Sequence, residues 1–98
     1  MKKEISISPV AAEALRRFGE NLAVARQARN WSQEEAAKRS KMSRTTYRAI
    51  ELGKTSVSIG QYLSVADLYG LADSIKHVAA PHLDNYGSGL KGIKGRHN

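Results

Sequence analysis

The chain has 98 residues, enough for one domain with a modest core. Sixteen Lys and Arg against nine Asp and Glu leave a formal charge of +7, and 41% hydrophobic residues are ordinary for a globular domain. That balance admits a polyanionic partner without identifying one. There is no cysteine, which excludes disulfides and thiolate zinc sites and fits a reducing cytoplasm. No apolar run approaches the length of about 18 residues that reads as a membrane span. The opening MKKEISISP lacks the apolar stretch of a secretory signal. His77, His82 and His97 show neither an i,i+4 pair nor a neighbouring carboxylate pattern, so no metal or cofactor is expected.

Residues 1–8 alternate, with Ile5 and Ile7 apolar between Glu4, Ser6 and Ser8. This is a short strand pattern with no partner strand elsewhere in the sequence; if it forms, it pairs with a second subunit's copy or a partner's sheet edge. A first helix starts near Pro9 and carries Leu15, Phe18, Leu22 and Ala25 on one face, with Asn30 placed to end it in the left-handed conformation. Gly19 interrupts that helix at some cost in propensity. Ser32 and Glu35 form a capping-box signature for a second helix, with Trp31 and Ala36 spaced as a hydrophobic staple. This helix runs to about Ser40 and is too short to stand without tertiary packing.

Ser43 caps a third helix over residues 44–52, which Gly53 stops. Met42, Tyr47 and Ile50 are expected to point inward, and Arg44, Thr45 and Arg48 outward. Two short capped helices joined by about three residues have the form of a helix-turn-helix. Ser58 caps a fourth helix, residues 59–69, with Tyr62, Leu63, Ala66 and Tyr69 on one face and Gly70 at its end. A fifth helix, residues 73–80, places Ile75, Val78 and Ala79 on its apolar side, and Pro81 closes it. Residues 86–98 hold four glycines, basic groups and no acid, and read as a mobile tail.

Between Lys38 and Lys54 stand six basic residues and one acid, Glu51. A helix entering the major groove must present guanidinium, amide or hydroxyl groups to base edges, and Arg44, Thr45, Thr46 and Arg48 supply them. Phosphates are met by lysines, backbone N–H groups and helix N-termini; Gln33, Lys54 and the starts of the second and third helices supply these.

The run NWSQEEAAKRSKMSRTTYRAIELGKTSVSIGQYLSVADLYGL resembles the Xre-type, lambda-repressor-like helix-turn-helix family. The features that carry the resemblance are Gln33 with Glu35, Ala37, Ser43-Arg44-Thr45-Thr46, Ile50-Glu51 with Gly53-Lys54, and the ending Leu63 to Gly70. The resemblance implies base contacts from Arg44, Thr45, Arg48 and Ala49. It implies phosphate contacts from Gln33, Ser43, Thr46, Lys54 and Thr55, with Gln33 also bracing the recognition helix. Arg26 and Glu51 would form a structural ion pair. Three positions depart from the family pattern: Lys41 stands where glycine is usual in the turn, Ala49 where a polar residue is commoner, and Tyr47 where a smaller aliphatic residue packs. Residues 78–98 are similar, more loosely, to the tails of HipB-like antitoxins, which pair with HipA-like kinases, through Pro81, Asp84, Gly89, Leu90, Lys91, Lys94 and Arg96.

The expected architecture is therefore all-α, a five-helix lambda-repressor-like helix-turn-helix bundle, with a short N-terminal strand as an option. It divides into an arm or strand (1–8), the helix-turn-helix domain (9–81) and a basic flexible tail (82–98). The resemblance implies a non-enzymatic transcriptional regulator, a repressor, binding double-stranded DNA as a homodimer on paired half-sites. The alternative is a HipB-like antitoxin that neutralises a HipA-like kinase toxin and autoregulates its operon. A third class, RNA binding, requires aromatics on an exposed sheet, whereas Trp31, Tyr62 and Tyr69 read as core.

Overall fold

Serines open four helices in succession. The computed structural model describes residues 3–94. In it α1 (Pro9–Ala28), α2 (Gln33–Arg39), α3 (Arg44–Glu51) and α4 (Ile59–Leu68) follow Ser8, Ser32, Ser43 and Ser58. Each serine oxygen accepts from a backbone N–H three residues on, of Ala11, Glu35, Thr46 and Gln61, at 3.0–3.2 Å. Each cap satisfies one donor that the helix itself leaves unpaired. The full reciprocal box forms at Ser58 and Gln61. At Ser32 only half of the expected box is made, because the Glu35 carboxylate turns to Arg39, 2.8 Å away.

The same four helices end alike. Asn30, Lys41, Gly53 and Gly70 are left-handed, with φ of 59°, 59°, 72° and 71°. The next N–H in each case reaches back to an orphan carbonyl: Trp31 to Arg26, Met42 to Ala37, Lys54 to Ala49 and Leu71 to Ala66. This is the Schellman termination. Lys41 adopts the left-handed turn despite its side chain, at a cost of about 1 kcal/mol.

Leu22, Tyr47, Ile50, Tyr62 and Val65 are the largest fully buried side chains, drawn from α1, α3 and α4. Ala25, Ala36, Ala37, Ala66 and Tyr69 fill between them, with Leu15, Phe18, Trp31, Met42 and Leu68 at the edge. The expected apolar face of α1 is thus the packing face. On α4 the sequence pattern missed Val65, which is more deeply buried than the half-buried Leu63. Gly19 has a packing reason: a Cβ there would lie 2.7 Å from the Glu51 carbonyl oxygen and nearer still to that of Ile50, so only glycine lets α1 touch the end of α3.

The C-terminal third differs from expectation. α5 is only Ala72–Ile75, and the chain then turns through a left-handed Ala79 (φ 59°) to a 3₁₀ turn at Pro81–Leu83. Val78, expected on an apolar face, is 66% exposed. Where a mobile tail is expected, a further helix, α6, spans Asn85–Lys94. Its start is held by Asp84, whose Oδ1 accepts from Gly87 N at 2.9 Å, and Tyr86 and Leu90 stand one turn apart along it. Arg96 and His97 lie outside the described residues. Among the described residues there is no strand; residues 3–8 are an extended arm. The fold is all-α, as expected, with one helix more than the sequence pattern indicated.

Candidate nucleic-acid interface

α2 and α3 pack on each other through Ala36, Ala37, Tyr47 and Ile50, with four residues between the helices. α3 then has two opposed faces. Tyr47, Ile50 and Glu51 are buried, while Arg44, Thr45 and Arg48 are exposed. The exposed three lie at i, i+1 and i+4, hence on one stripe of the helix. Arg44 has one loose partner, Glu34 at 4.0 Å, and its side chain is 69% exposed. Ser43 Oγ accepts from Thr46 N and donates to Thr46 Oγ1 at 3.0 Å, so these two expected phosphate contacts sit together at the α3 N-terminus. A helix N-terminus of this kind favours an anion.

The buried face is held by a charged network. Arg26 Nε donates to Glu51 Oε2 at 2.7 Å and Arg26 Nη2 to Oε1 at 3.2 Å. Gln33 Nε2 donates to the same Oε1 at 2.8 Å, and Arg26 Nη1 donates to the Trp31 carbonyl at 2.8 Å. The Glu51 side chain is 6% exposed and that of Arg26 14%. Burial pushes the Glu51 carboxyl up, but hydrogen bonds from Arg26, Gln33 and the Tyr47 hydroxyl outweigh it, and the net direction is down. Gln33, at the first turn of α2, thereby joins α2 to the end of α3, the bracing role the resemblance implies. Behind it the Tyr47 and Tyr69 hydroxyls meet at 2.6 Å, and burial, followed by the bonds to Tyr69 and Glu51, drives the Tyr47 phenol up.

Lys54 and Thr55 follow α3 on a loop pinned from below. The Tyr62 hydroxyl donates to the Lys54 carbonyl at 2.7 Å, and burial pushes that phenol up to about 12. Both residues are met by the N-terminal arm, a contact with no local signal: Lys54 Nζ lies 3.2 Å from Glu4 Oε2, and Thr55 N–H and Oγ1 face Glu4 Oε1.

One expected base contact is placed otherwise. Ala49 is 4% exposed and belongs to the core; it sits at the floor of a shallow pocket lined by Glu4, Thr45, Arg48, Leu52 and Lys54. Little of its methyl is exposed, and that little faces the pocket between Thr45 and Arg48. Two contacts that sequence reasoning missed stiffen the same region. The Arg39 guanidinium lies 4.2 Å from the Trp31 ring centre, and Arg29 lies 5.1 Å from that of Tyr69 while donating to the Tyr69 carbonyl. Among the described residues, no group of three or more His, Asp and Glu side chains is placed to hold a metal ion.

Residues 17–75 match the family described as the helix-turn-helix domain. The chain belongs to that family. The match runs from within α1 to the end of α5 and so takes in both helices of the motif, the Arg26–Glu51–Gln33 network and the Lys54–Thr55 loop. The arm, the first half of α1 and α6 lie outside the matched residues. No curated protein and no solved structure gave a match to the chain. Helix-turn-helix domains bind DNA by laying the second helix of the motif in the major groove. No helix among the described residues is long and apolar enough to cross a membrane.

Proposed function

We propose that this helix-turn-helix protein is a sequence-specific transcriptional regulator, a repressor, in which α3 reads the major groove through Arg44, Thr45 and Arg48. The observation that carries the reading is the two-faced α3: its outer stripe is exposed and basic, while its inner stripe is locked to α1 and α2 through Glu51. A recognition helix needs both properties, since base contacts demand a fixed orientation. Gln33, Ser43, Thr46, Lys54 and Thr55 flank α3 and take phosphates. The reading assigns the chain no catalysis.

One recognition helix reads few base pairs, which favours a homodimer on paired half-sites. A second copy has a surface to use: an apolar groove of about 660 Å³ between α1, α4 and α5, lined by Leu15, Phe18, Ile59, Leu63, Ile75 and Val78. A second reading, that the chain also holds a HipA-like kinase inactive, is favoured by α6, which carries exposed Tyr86 and Leu90 outside the matched domain. Co-purification with a kinase encoded beside it tests that reading.

The test of the main reading is a titration. A preferred site is selected from a random duplex library, and Arg44→Ala is then measured on it at fixed salt. The expected loss is about 1–3 kcal/mol, with relaxed preference at one base position. Unchanged affinity and preference would remove α3 as the reading element.

A further inference from the structure

Glu4 and Ile5 make a compact set of bonds with a loop 50 residues away. Ile5 N donates to Thr55 Oγ1 at 2.8 Å, and that hydroxyl lies 2.9 Å from the Ile5 carbonyl oxygen and 3.2 Å from Glu4 Oε1. The Thr55 N–H points to Glu4 Oε1 at 3.4 Å, while Glu4 Oε2 takes Lys54 Nζ at 3.2 Å. An ammonium, a hydroxyl and a backbone amide thus converge on one carboxylate. The same three donors are what a backbone phosphate would engage. They cannot serve both anions at once.

The position of the carboxylate matters as much as its partners. Glu4 lines the shallow pocket at the foot of α3 together with Thr45, Arg48, Leu52 and Lys54. It therefore places a negative charge beside two of the side chains assigned to bases. Ile7 is half-buried, but Glu4 is exposed and Ile5 is 66% exposed, so residues 4–5 are held by polar contacts and bury little apolar surface. Contacts of that kind open readily, since an exposed ion pair contributes little net stability.

We propose that residues 4–5 are an internal latch: in the free protein Glu4 occupies the phosphate site of Lys54 and Thr55, and duplex DNA binds by displacing it. The inference rests on the reading of Lys54 and Thr55 as phosphate contacts. The arm sets a threshold, because DNA engages only the open fraction and its apparent affinity is lowered by that fraction. Weak, non-specific encounters are suppressed, while a good site has contacts to spare for the displacement. In the open state the donors of Lys54 and Thr55 pass from an internal carboxylate to phosphate.

Two measurements on the full chain test this. The first compares affinity for a random-sequence duplex at low salt among the wild type, Glu4→Gln, Asp73→Asn and Lys54→Ala. Asp73 is an exposed acid on α5 whose loss raises the net charge equally. Glu4→Gln is expected to bind about two- to fivefold tighter than Asp73→Asn, the range an exposed ion pair supports. The second follows the Ile5 amide by nitrogen-15 relaxation. It should be ordered in the free wild type and become mobile when duplex is added. Equal affinities of Glu4→Gln and Asp73→Asn, or an Ile5 amide that stays ordered on DNA, would overturn the latch. If Lys54→Ala leaves affinity unchanged, the phosphate-site reading itself fails and the latch with it; if Lys54→Ala weakens binding and Glu4→Gln does nothing beyond its control, the latch alone fails.

Discussion

Arg26 on α1 clasps Glu51 at the end of α3 through two nitrogens, Nε at 2.7 Å and Nη2 at 3.2 Å, with both side chains almost withdrawn from solvent. The pair joins the longest helix to the proposed reading helix at its C-terminal end. Gln33 donates to the same carboxylate, so three helices meet on one residue. A pair of this sort adds little over apolar packing of equal shape, yet breaking it by removing one partner is costly. Its contribution is to fix the angle at which α3 presents Arg44, Thr45 and Arg48.

Glu51→Ala should therefore cost about 2–4 kcal/mol, because it leaves a guanidinium and an amide facing a gap. The double variant Arg26→Met, Glu51→Leu should recover much of that loss. Denaturant midpoints followed by circular dichroism decide it. A midpoint unmoved by Glu51→Ala would mean that the pair does not hold α3.

The same carboxylate sets a pH dependence. Its folded value lies below the ordinary 4.5, despite burial, through Arg26, Gln33 and Tyr47. A depressed acid stabilises the folded state above its unfolded value, and that stabilisation drains as pH falls through the folded value. The urea midpoint should hold near neutrality and drop on acidification below about pH 4.5, where the unfolded state begins to take up the proton that the folded state refuses. In Glu51→Gln this part of the acid slope should be missing. Parallel slopes in the two proteins would assign acid sensitivity to other carboxylates.

The parts of this fold that were legible in sequence are the local ones. Ser32 and Ser43 as caps, Asn30 as a left-handed stop, and the buried Tyr47–Ile50 face of α3 all depend on residues within one or two turns. The near-complete burial of Ala49 was not legible, because how far a small residue between two faces is covered depends on helix tilt against the core. The Glu4 contact to Lys54 and Thr55 bridges 50 residues and has no local signal. The glycines of α6 point to a mobile tail, whereas Asp84, which accepts from Gly87 N at its start, is a local signal for a helix. In sequence Gly19 is only a loss of helix propensity in α1, since its purpose lies in the three-dimensional approach of Ile50 and Glu51.

Lys41 is the one termination in the helix-turn-helix turn that a glycine would suit better. Its φ of 59° is left-handed, and its N–H completes the turn by donating to the Lys38 carbonyl at 3.0 Å. Lys41→Gly keeps those bonds and removes the Cβ penalty, against some added freedom of the unfolded chain. The expected gain is about 0.5–1 kcal/mol, read as a rise in the thermal midpoint. A fall would show that the lysine side chain makes a stabilising contact in solution.

Gly19 offers a test in which two physical effects have opposite signs. Helix propensity alone says that Gly19→Ala stabilises α1 by about 1 kcal/mol. Packing says the reverse. A Cβ at Gly19 would meet the Glu51 carbonyl oxygen at 2.7 Å and its carbon at 2.9 Å, with Ile50 O nearer still. These are backbone atoms at the end of α3, so no rotamer change relieves the clash, and α1 and α3 must move apart. Overpacking of that kind costs about 1–3 kcal/mol, which exceeds the propensity gain. Gly60 is the control: it lies in the first turn of α4, and a Cβ there meets only Ser58 Oγ at 3.8 Å. Gly60→Ala should be neutral or stabilising, whereas Gly19→Ala should lower the denaturant midpoint. Since the displaced element is the end of α3 that carries Glu51, Gly19→Ala should also weaken binding to the selected duplex more than its loss of stability explains, measured where both proteins are fully folded. If Gly19→Ala and Gly60→Ala both stabilise, then α1 and α3 do not approach as closely in solution as Ile50 and Glu51 require.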